Sequence, residues 1–250
     1  MVRGFYTAGA GMVANSRKLD ITGDNIANTR TSGYKKDKAV SSAFQQRLVM
    51  KLDSTALQQS MQIGSISQGQ TIDSVFTDFE QGVLTHTGGV FDLAISGDGF
   101  FSVLGEQGVL YTRNGEFYLD DNGFITSISG GFLLGQNGPI NTGGSHFEVT
   151  PAGEVFVNGE MIDILEIFNP ANMDALVKHD QGMFALVGDA GQRAFTGRVC
   201  QGYLEASNAD MIEEMMDMLV SQRSFQSCSQ VAKMIDSTLQ KATELGRMNV

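Results

Sequence analysis

Residues 203 to 245 contain neither glycine nor proline, in a chain whose 250 residues include 30 glycines. Glycine weakens a helix through its conformational freedom and proline breaks one through its missing N–H, so their joint absence is the strongest constraint on the fold. Asn208 to Leu245, "NADMIEEMMDMLVSQRSFQSCSQVAKMIDSTLQKATEL", predicts one helix of 38 residues, about 57 Å long at the usual rise per residue. Ser207 with Asp210 three residues on reads as a capping box. Asp210, Glu213 and Glu214 crowd the first turns and Lys241 and Arg247 the end, the arrangement the helix dipole favours. Apolar residues fall at Ile212, Met215, Met216, Leu219, Phe225, Cys228, Val231, Ala232, Ile235, Leu239 and Ala242. Ordinary globular helices run about 11–12 residues, so the length points to a coiled-coil seam, with packing onto its own domain as the alternative.

The N-terminus carries a second helical pattern. Phe5, Met12, Leu19 and Ile26 recur every seven positions with Ala8 and Val13 beside them, which predicts a helix over roughly residues 3 to 28 with one narrow apolar stripe. Small or polar residues, Ala8, Asn15 and Thr22, fill the intervening positions. So thin a stripe suits a seam against other helices better than a globular core face. The first 38 residues carry seven basic side chains against three acidic, and positions 208 to 246 carry six acidic against three basic. This complementarity predicts that the two terminal helices lie together.

Between them the period changes. "DLAISGDGFFSVLGEQGVLYTRNGEFYLDDNGFITSISGGFLLG" alternates short apolar runs with Gly-Asp-Gly, Arg-Asn-Gly, Asp-Asn-Gly and Gly-Gly. Such pairs supply the positive φ that tight hairpins demand, so a meander of antiparallel strands is expected to about residue 200. Residues 41 to 75 are rich in serine and glutamine and fix no period, reading as an extended linker or a partly disordered connector. The fold class expected is α+β: long N- and C-terminal helices forming a coiled-coil-like pair, with an inserted antiparallel all-β domain. The segments are 1–38 (helix and turn), 39–80 (polar extended connector), 81–202 (β domain) and 203–250 (long helix).

Several chemistries are excluded. A net charge of −11 argues against binding nucleic acid phosphates or anionic lipid through bulk electrostatics. No apolar run approaches the roughly 20 residues a bilayer span needs, and the first 20 residues lack the h-region of a cleaved signal peptide. That leaves a cytoplasmic chain or one exported without cleavage. Cys200 and Cys228 show no metal or redox spacing. His86, His146 and His179 sit in separate segments without carboxylates at ligand spacing. Gly97-Asp98-Gly99-Phe100-Phe101-Ser102 has Ser102 where a dinucleotide fingerprint has its third glycine, so a hairpin turn is expected there. "DDNG" at 120–123 fails the calcium-loop spacing and reads as a turn. No catalytic residue, cofactor site or metal site is expected.

"LDITGDNIANTRTSGYKKD" at 19–37 resembles the N-terminal signature of the bacterial flagellar rod and hook proteins, a Leu-Asp pair, an Asn-Asn-(Leu/Ile)-Ala-Asn block and Thr-x-Gly-(Phe/Tyr)-Lys. Leu19, Asp20, Asn25, Ile26, Ala27, Asn28, Thr31, Gly33, Tyr34 and Lys35 match, and Asp24 stands where the first asparagine is usual. "TDFEQGVLTHTGGVFDLAISGDGFFSV" and "YTRNGEFYLDDNGFITSISG" resemble the family's central strands, with Gly89 and Val90 in place of its Asn-Pro. "GYLEASNADMIEEMMDMLVSQRSFQSCSQVAKMIDSTLQKATEL" resembles its C-terminal helix, and the length fits the FlgF and FlgG type.

The resemblance implies a non-catalytic subunit of the flagellar rod in the basal body, polymerising through its terminal helices into a hollow shaft. Its partners would be other copies of itself, neighbouring rod proteins and the flagellar export apparatus, with no nucleic acid and no stable membrane insertion. The assembly interface expected is Phe5, Ala8, Met12, Leu19, Asn25, Ile26, Asn28 and Gly33 with Ile212, Met215, Leu219, Phe225, Val231, Ile235 and Leu239. The competing reading is a soluble, non-catalytic binding or adaptor module with a ligand surface on its β domain.

Overall fold

The computed structural model describes residues 2–43, 47–51, 61–66, 69–105, 108–144, 147–179, 182–188 and 190–247. The fold is α+β, with a helix at each end of the chain and antiparallel strands between. It divides into a helical unit, residues 1–26, 37–76 and 211–250, and a β unit, residues 27–36 and 77–210.

In the helical unit, α1 spans Val2–Ala27 and α2 spans Met211–Arg247. Helix α2 begins three residues later than the sequence predicts. Ser207 is not its cap: its hydroxyl accepts from the Ala209 N–H at 3.2 Å in a local turn, and Asp210 occupies the cap position. Glu213 and Glu214 then lie in the first turn, where the dipole favours them. The poorly periodic stretch after α1 forms two ladders. Asp37–Ala43 pairs with Gln70–Thr77, and Arg47–Lys51 runs antiparallel to Met61–Ile66. The remainder of that stretch, residues 44–46, 52–60 and 67–68, lies outside the described residues.

The β unit is built on a sheet whose path runs Leu176–Lys178, Phe184–Leu186, Gly108–Thr112, Phe100–Gly105, Phe132–Gly135, Ile125–Ser127, Phe117–Leu119. A three-stranded sheet, Phe147–Val149, Glu154–Val157 and Glu160–Ile164, accompanies it. Two ribbons join Leu93–Ser96 to Arg198–Gln201 and Leu84–His86 to Tyr203–Glu205. Successive side chains of a strand point to opposite faces, and Phe100 and Phe101 accordingly enter different clusters. Phe101 packs edge-on to Phe117 among Leu93, Ile95, Val103, Ile125, Leu133, Phe147 and Val199. Phe100 packs with Phe184, Leu176 and Phe79. Each such ring contributes roughly 1.5–3 kcal/mol by leaving water.

Two of the turn glycine pairs do not make hairpins. Gly97 and Gly99 lie between strands of different ladders, with φ of 111° and 136°. A methyl on Gly99 would lie 2.8 Å from Ile167 Cγ2, so this corner is glycine for space as well as for φ. Arg113-Asn114-Gly115 also joins strands that do not pair with each other, and Arg113 and Asn114 are buried. "DDNG" is a true hairpin turn: Gly123 N–H donates to the Asp120 carbonyl at 2.9 Å, between Phe117–Leu119 and Ile125–Ser127.

Candidate functional site

The signature at 25–37 divides between the two units. In the β unit, Asn28 Oδ1 accepts from the Thr31 hydroxyl at 3.1 Å and the Asn28 carbonyl from the Thr31 N–H at 3.2 Å, closing the turn after α1. Gly33 follows with φ of 69° and its N–H donates to the Glu205 carbonyl at 2.7 Å. A methyl there would lie 2.3 Å from Arg113 C and Asn114 N, so the backbones touch and only glycine fits.

Lys35 is 1% exposed. Its ammonium donates to Glu205 Oε1 at 2.5 Å and to the Glu80 carbonyl at 2.7 Å. Glu205 also receives Arg113 Nη1 at 3.1 Å on its other oxygen and the Gly82 N–H at 2.9 Å. Arg113 Nη2 donates to the Gly97 carbonyl at 2.7 Å. One carboxylate thus holds two buried cations. Burial pushes both cations' pKa values below their ordinary range, and attraction to Glu205 opposes the shift. Asn208 completes the knot: its Oδ1 accepts from the Lys36 N–H at 2.8 Å, and its amide donates to the carbonyls of Asp78 at 2.8 Å and Glu80 at 3.2 Å. Tyr34 is buried beside it, with the Lys178 ammonium 4.0 Å from its ring centre. Three separated segments, 33–36, 78–82 and 205–208, are fixed to one another by these bonds.

In the helical unit, α1 and α2 run antiparallel. Methyl groups on Gly4, Gly11 and Gly23 would lie 3.2 Å from Ile235 Cδ1, 3.0 Å from Cys228 Sγ and 3.9 Å from Met218 Cε. The buried Asn25 amide donates to Glu214 Oε2 at 3.1 Å and to the Asp37 carbonyl at 2.9 Å, while its Oδ1 accepts from the Asp37 N–H at 3.0 Å. Along α1, Ala8, Gly11, Asn15, Lys18, Thr22 and Asn25, alternately three and four apart, are buried or half-buried, and Ala14 beside them is buried too. Along α2, Glu214, Met218, Ser221, Phe225, Cys228, Ala232 and Ile235, spaced alike, are buried or half-buried. Small and polar residues form the α1 side of this contact. Asn15 and Thr22 satisfy themselves on their own helix, donating to the Gly11 carbonyl at 2.8 Å and the Lys18 carbonyl at 3.0 Å.

Of the residues expected at an interface, Asn25 and Ile235 lie where α1 meets α2, Ala8 is buried and Phe225 half-buried. Met12, Leu19 and Ile26 are half-buried on the flank of that contact. Phe5, Ile212, Met215, Leu219, Val231 and Leu239 are exposed. Asn28 and Gly33 belong to the β unit, Asn28 in the turn after α1 and Gly33 in the knot. Asp24, the departure from the signature, is exposed. Sequence reasoning passed over Arg113, Glu205 and Asn208. Arg113 sits in a run read only as a turn, and Asn208 in "EASNAD" looked like helix start.

His86 lies against Tyr203 with ring centres 4.9 Å apart, and His146 is outside the described residues. Cys200 and Cys228 are free thiols. Among the described residues, no helix is long and apolar enough to cross a membrane, and no histidine, cysteine and carboxylate group is placed to hold a metal.

Three family models cover the segments just described: "Flagella basal body rod protein" matches residues 5–35, "Flagellar hook protein FlgE/F/G D1 domain" 94–157, and "Flagellar basal body rod FlgEFG protein C-terminal" 201–245. The chain is 31% identical over 268 residues to the flagellar basal-body rod protein FlgG of Bacillus subtilis, covering 99% of this chain and 100% of that one. The chain belongs to the flagellar basal-body rod family. A FlgF protein of Caulobacter vibrioides is 32% identical over 249 residues, 93% of this chain and 94% of its own. The flagellar hook-basal body complex protein FlhO of Bacillus subtilis is 26% identical over 272 residues, 99% of this chain and all of its own. The type is FlgF/FlgG, and the chain is a structural rod protein of the flagellar basal body. In this rod protein the N-terminal model ends at Tyr34-Lys35, inside the buried knot, and the C-terminal model begins four residues before Glu205.

Proposed function

We propose that this rod subunit polymerises through its terminal helices into a hollow drive shaft that transmits torque. In this reading α1 and α2 pair as an antiparallel coiled coil within each subunit, along the small-residue stripe of α1. The apolar side chains left outside that contact bind neighbouring copies or neighbouring rod proteins. The chain reaches the periplasm through the flagellar export apparatus without signal cleavage, and it carries out no catalysis.

The observation that carries the reading is the exposed run Ile212, Met215, Met216, Leu219 and Val220 on α2, with Phe5, Tyr6 and Val13 exposed on α1. So many large apolar side chains in water on two long helices mark an interaction surface. Contacts of that kind between unlike faces propagate into an open helical assembly.

Leu219→Asp tests it. Leu219 is 54% exposed in the isolated chain, so the variant should melt within about 0.5 kcal/mol of the wild type. Expressed in a host lacking its own copy, it should give basal bodies whose rod stops short in electron micrographs. Rods of normal length from the variant overturn the reading.

A further inference from the structure

Within the helical unit, α1, α2 and the ladder Asp37–Ala43/Gln70–Thr77 line an open pocket of about 250 Å³. Its polar wall is Asn15 and Lys18 of α1, Ser221 and Ser224 of α2, and Ser41 and Gln70 of the strands. Among the described residues no carboxylate lines it. Lys18 stands in the shielded row of α1, where the other members are small or amide-bearing. Ser221 is 2% exposed and its Oγ has no hydrogen-bond partner among the described residues.

The Ser221 hydroxyl is costly as it stands. A buried hydroxyl without a partner loses its hydration for nothing, and native structures keep few of them. Lys18 brings a cation to the wall of this pocket, for which an anion is the matching partner, and a polar residue at a seam position commonly serves to specify the partner and its register. One cation flanked by hydroxyls and amides matches a carboxylate, which accepts from all of them.

We propose that this notch receives a carboxylate side chain from a second copy of the chain. Charge complementarity selects that occupant. The chain carries 28 acidic residues against 17 basic, and Glu213, Asp217, Asp236 and Glu244 stand exposed along α2. A second copy therefore offers carboxylates along a helix face, the chemistry that the cation and hydroxyls of the notch match. The proposal rests on the self-assembly reading above and adds to it a polar lock that sets how copies align.

The experiment is sedimentation of the purified full-length chain over a concentration series, with Lys18→Gln, Ser221→Ala and Leu219→Asp beside the wild type. Lys18→Gln should raise the concentration at which assemblies form about tenfold, as expected for loss of one charge-assisted hydrogen bond. Ser221→Ala should raise it several-fold while its melting temperature equals or exceeds that of the wild type, because the orphaned hydroxyl is gone. A misfolded variant would also need a higher concentration to assemble but would melt lower, so the sign of the melting shift separates docking from folding. Acetate should inhibit wild-type assembly more than chloride at matched ionic strength, and should not distinguish itself from chloride on Lys18→Gln.

Wild-type assembly by both notch variants, with Leu219→Asp still blocked, overturns the notch and leaves the self-assembly reading standing. Acetate binding to the monomer by calorimetry, with no effect of Lys18→Gln on assembly, assigns the notch to a free anion and overturns the second-copy occupant. A wild type that stays monomeric throughout overturns both.

Discussion

Gly33 is the residue on which most of the turn after α1 depends. Its φ of 69° is costly for any side chain, and its Cβ would stand 2.3 Å from backbone atoms that cannot move aside. Gly33→Ala should therefore destabilise the β unit by about 3 kcal/mol or more, since strain and a backbone clash add to each other. Urea denaturation followed by circular dichroism measures it, the chain having no tryptophan. Lys35 makes a pH prediction. Burial lowers its pKa from 10.5, so between the lowered value and 10.5 the unfolded chain holds a proton that the folded chain has released. Stability then rises with pH across that alkaline window, because the unfolded state binds more protons. Urea midpoints at intervals up to pH 10.5 should show the rise, and Lys35→Met should remove it. Gly33, Tyr34 and Lys35 were legible as a signature, whereas Glu205 and Arg113 were not. Nothing local to them says that one carboxylate far along the chain will collect two cations.

At the scale of the helices, the sequence shows two stripes on α1, offset by one position, and both repeat every seven residues. The apolar one, Phe5, Met12, Leu19 and Ile26, draws the eye. The small one, Gly4, Ala8, Gly11, Asn15, Lys18, Thr22 and Asn25, holds the sites of closest approach to α2. Small residues leave room for side chains of α2 such as Cys228 and Ile235, and the bulky neighbours are then left on the flank. Gly9 and Gly11 test this division. Gly9 has open space around it, so Gly9→Ala should stabilise α1 by about 0.5–1 kcal/mol through helix propensity alone. Gly11 faces Cys228 Sγ at 3.0 Å, so Gly11→Leu should destabilise by about 1–3 kcal/mol through overpacking. Thermal melts of the two variants should move in opposite directions; equal shifts would mean that the helices do not meet along the small stripe.

At the scale of the whole molecule, burial is uneven. The β unit has a dry core of some fifteen apolar residues, among them Phe101, Ile125, Leu133, Phe147 and Val155. Among the described residues, α1 buries Ala8, Ala14, Thr22 and Asn25, and α2 only Glu214 and Ser221. Local opening costs little where few apolar contacts must break. Amides of α1 and α2 in the dilute chain should therefore exchange at least about a hundredfold faster than those of Leu93–Ser96 and Phe100–Gly105, by mass-spectrometric hydrogen exchange. In isolated basal bodies the helical amides should become protected. Equal protection of helices and strands in the monomer would show that the helices need no neighbours to be stable.

The two terminal helices, the antiparallel strands between them and the kinship to rod proteins are legible in the order of residues alone. Each of these is written in local terms: a glycine-free run, a repeat of seven, Asn-Gly and Asp-Gly pairs, and a short ordered signature. Tertiary structure decided which stripe of α1 meets α2, that residues 27–36 fold with the β unit, and that Lys35, Arg113 and Glu205 meet in a dry site. Those outcomes depend on which distant surfaces leave water together, and a periodicity names the faces of an element without naming what will cover them.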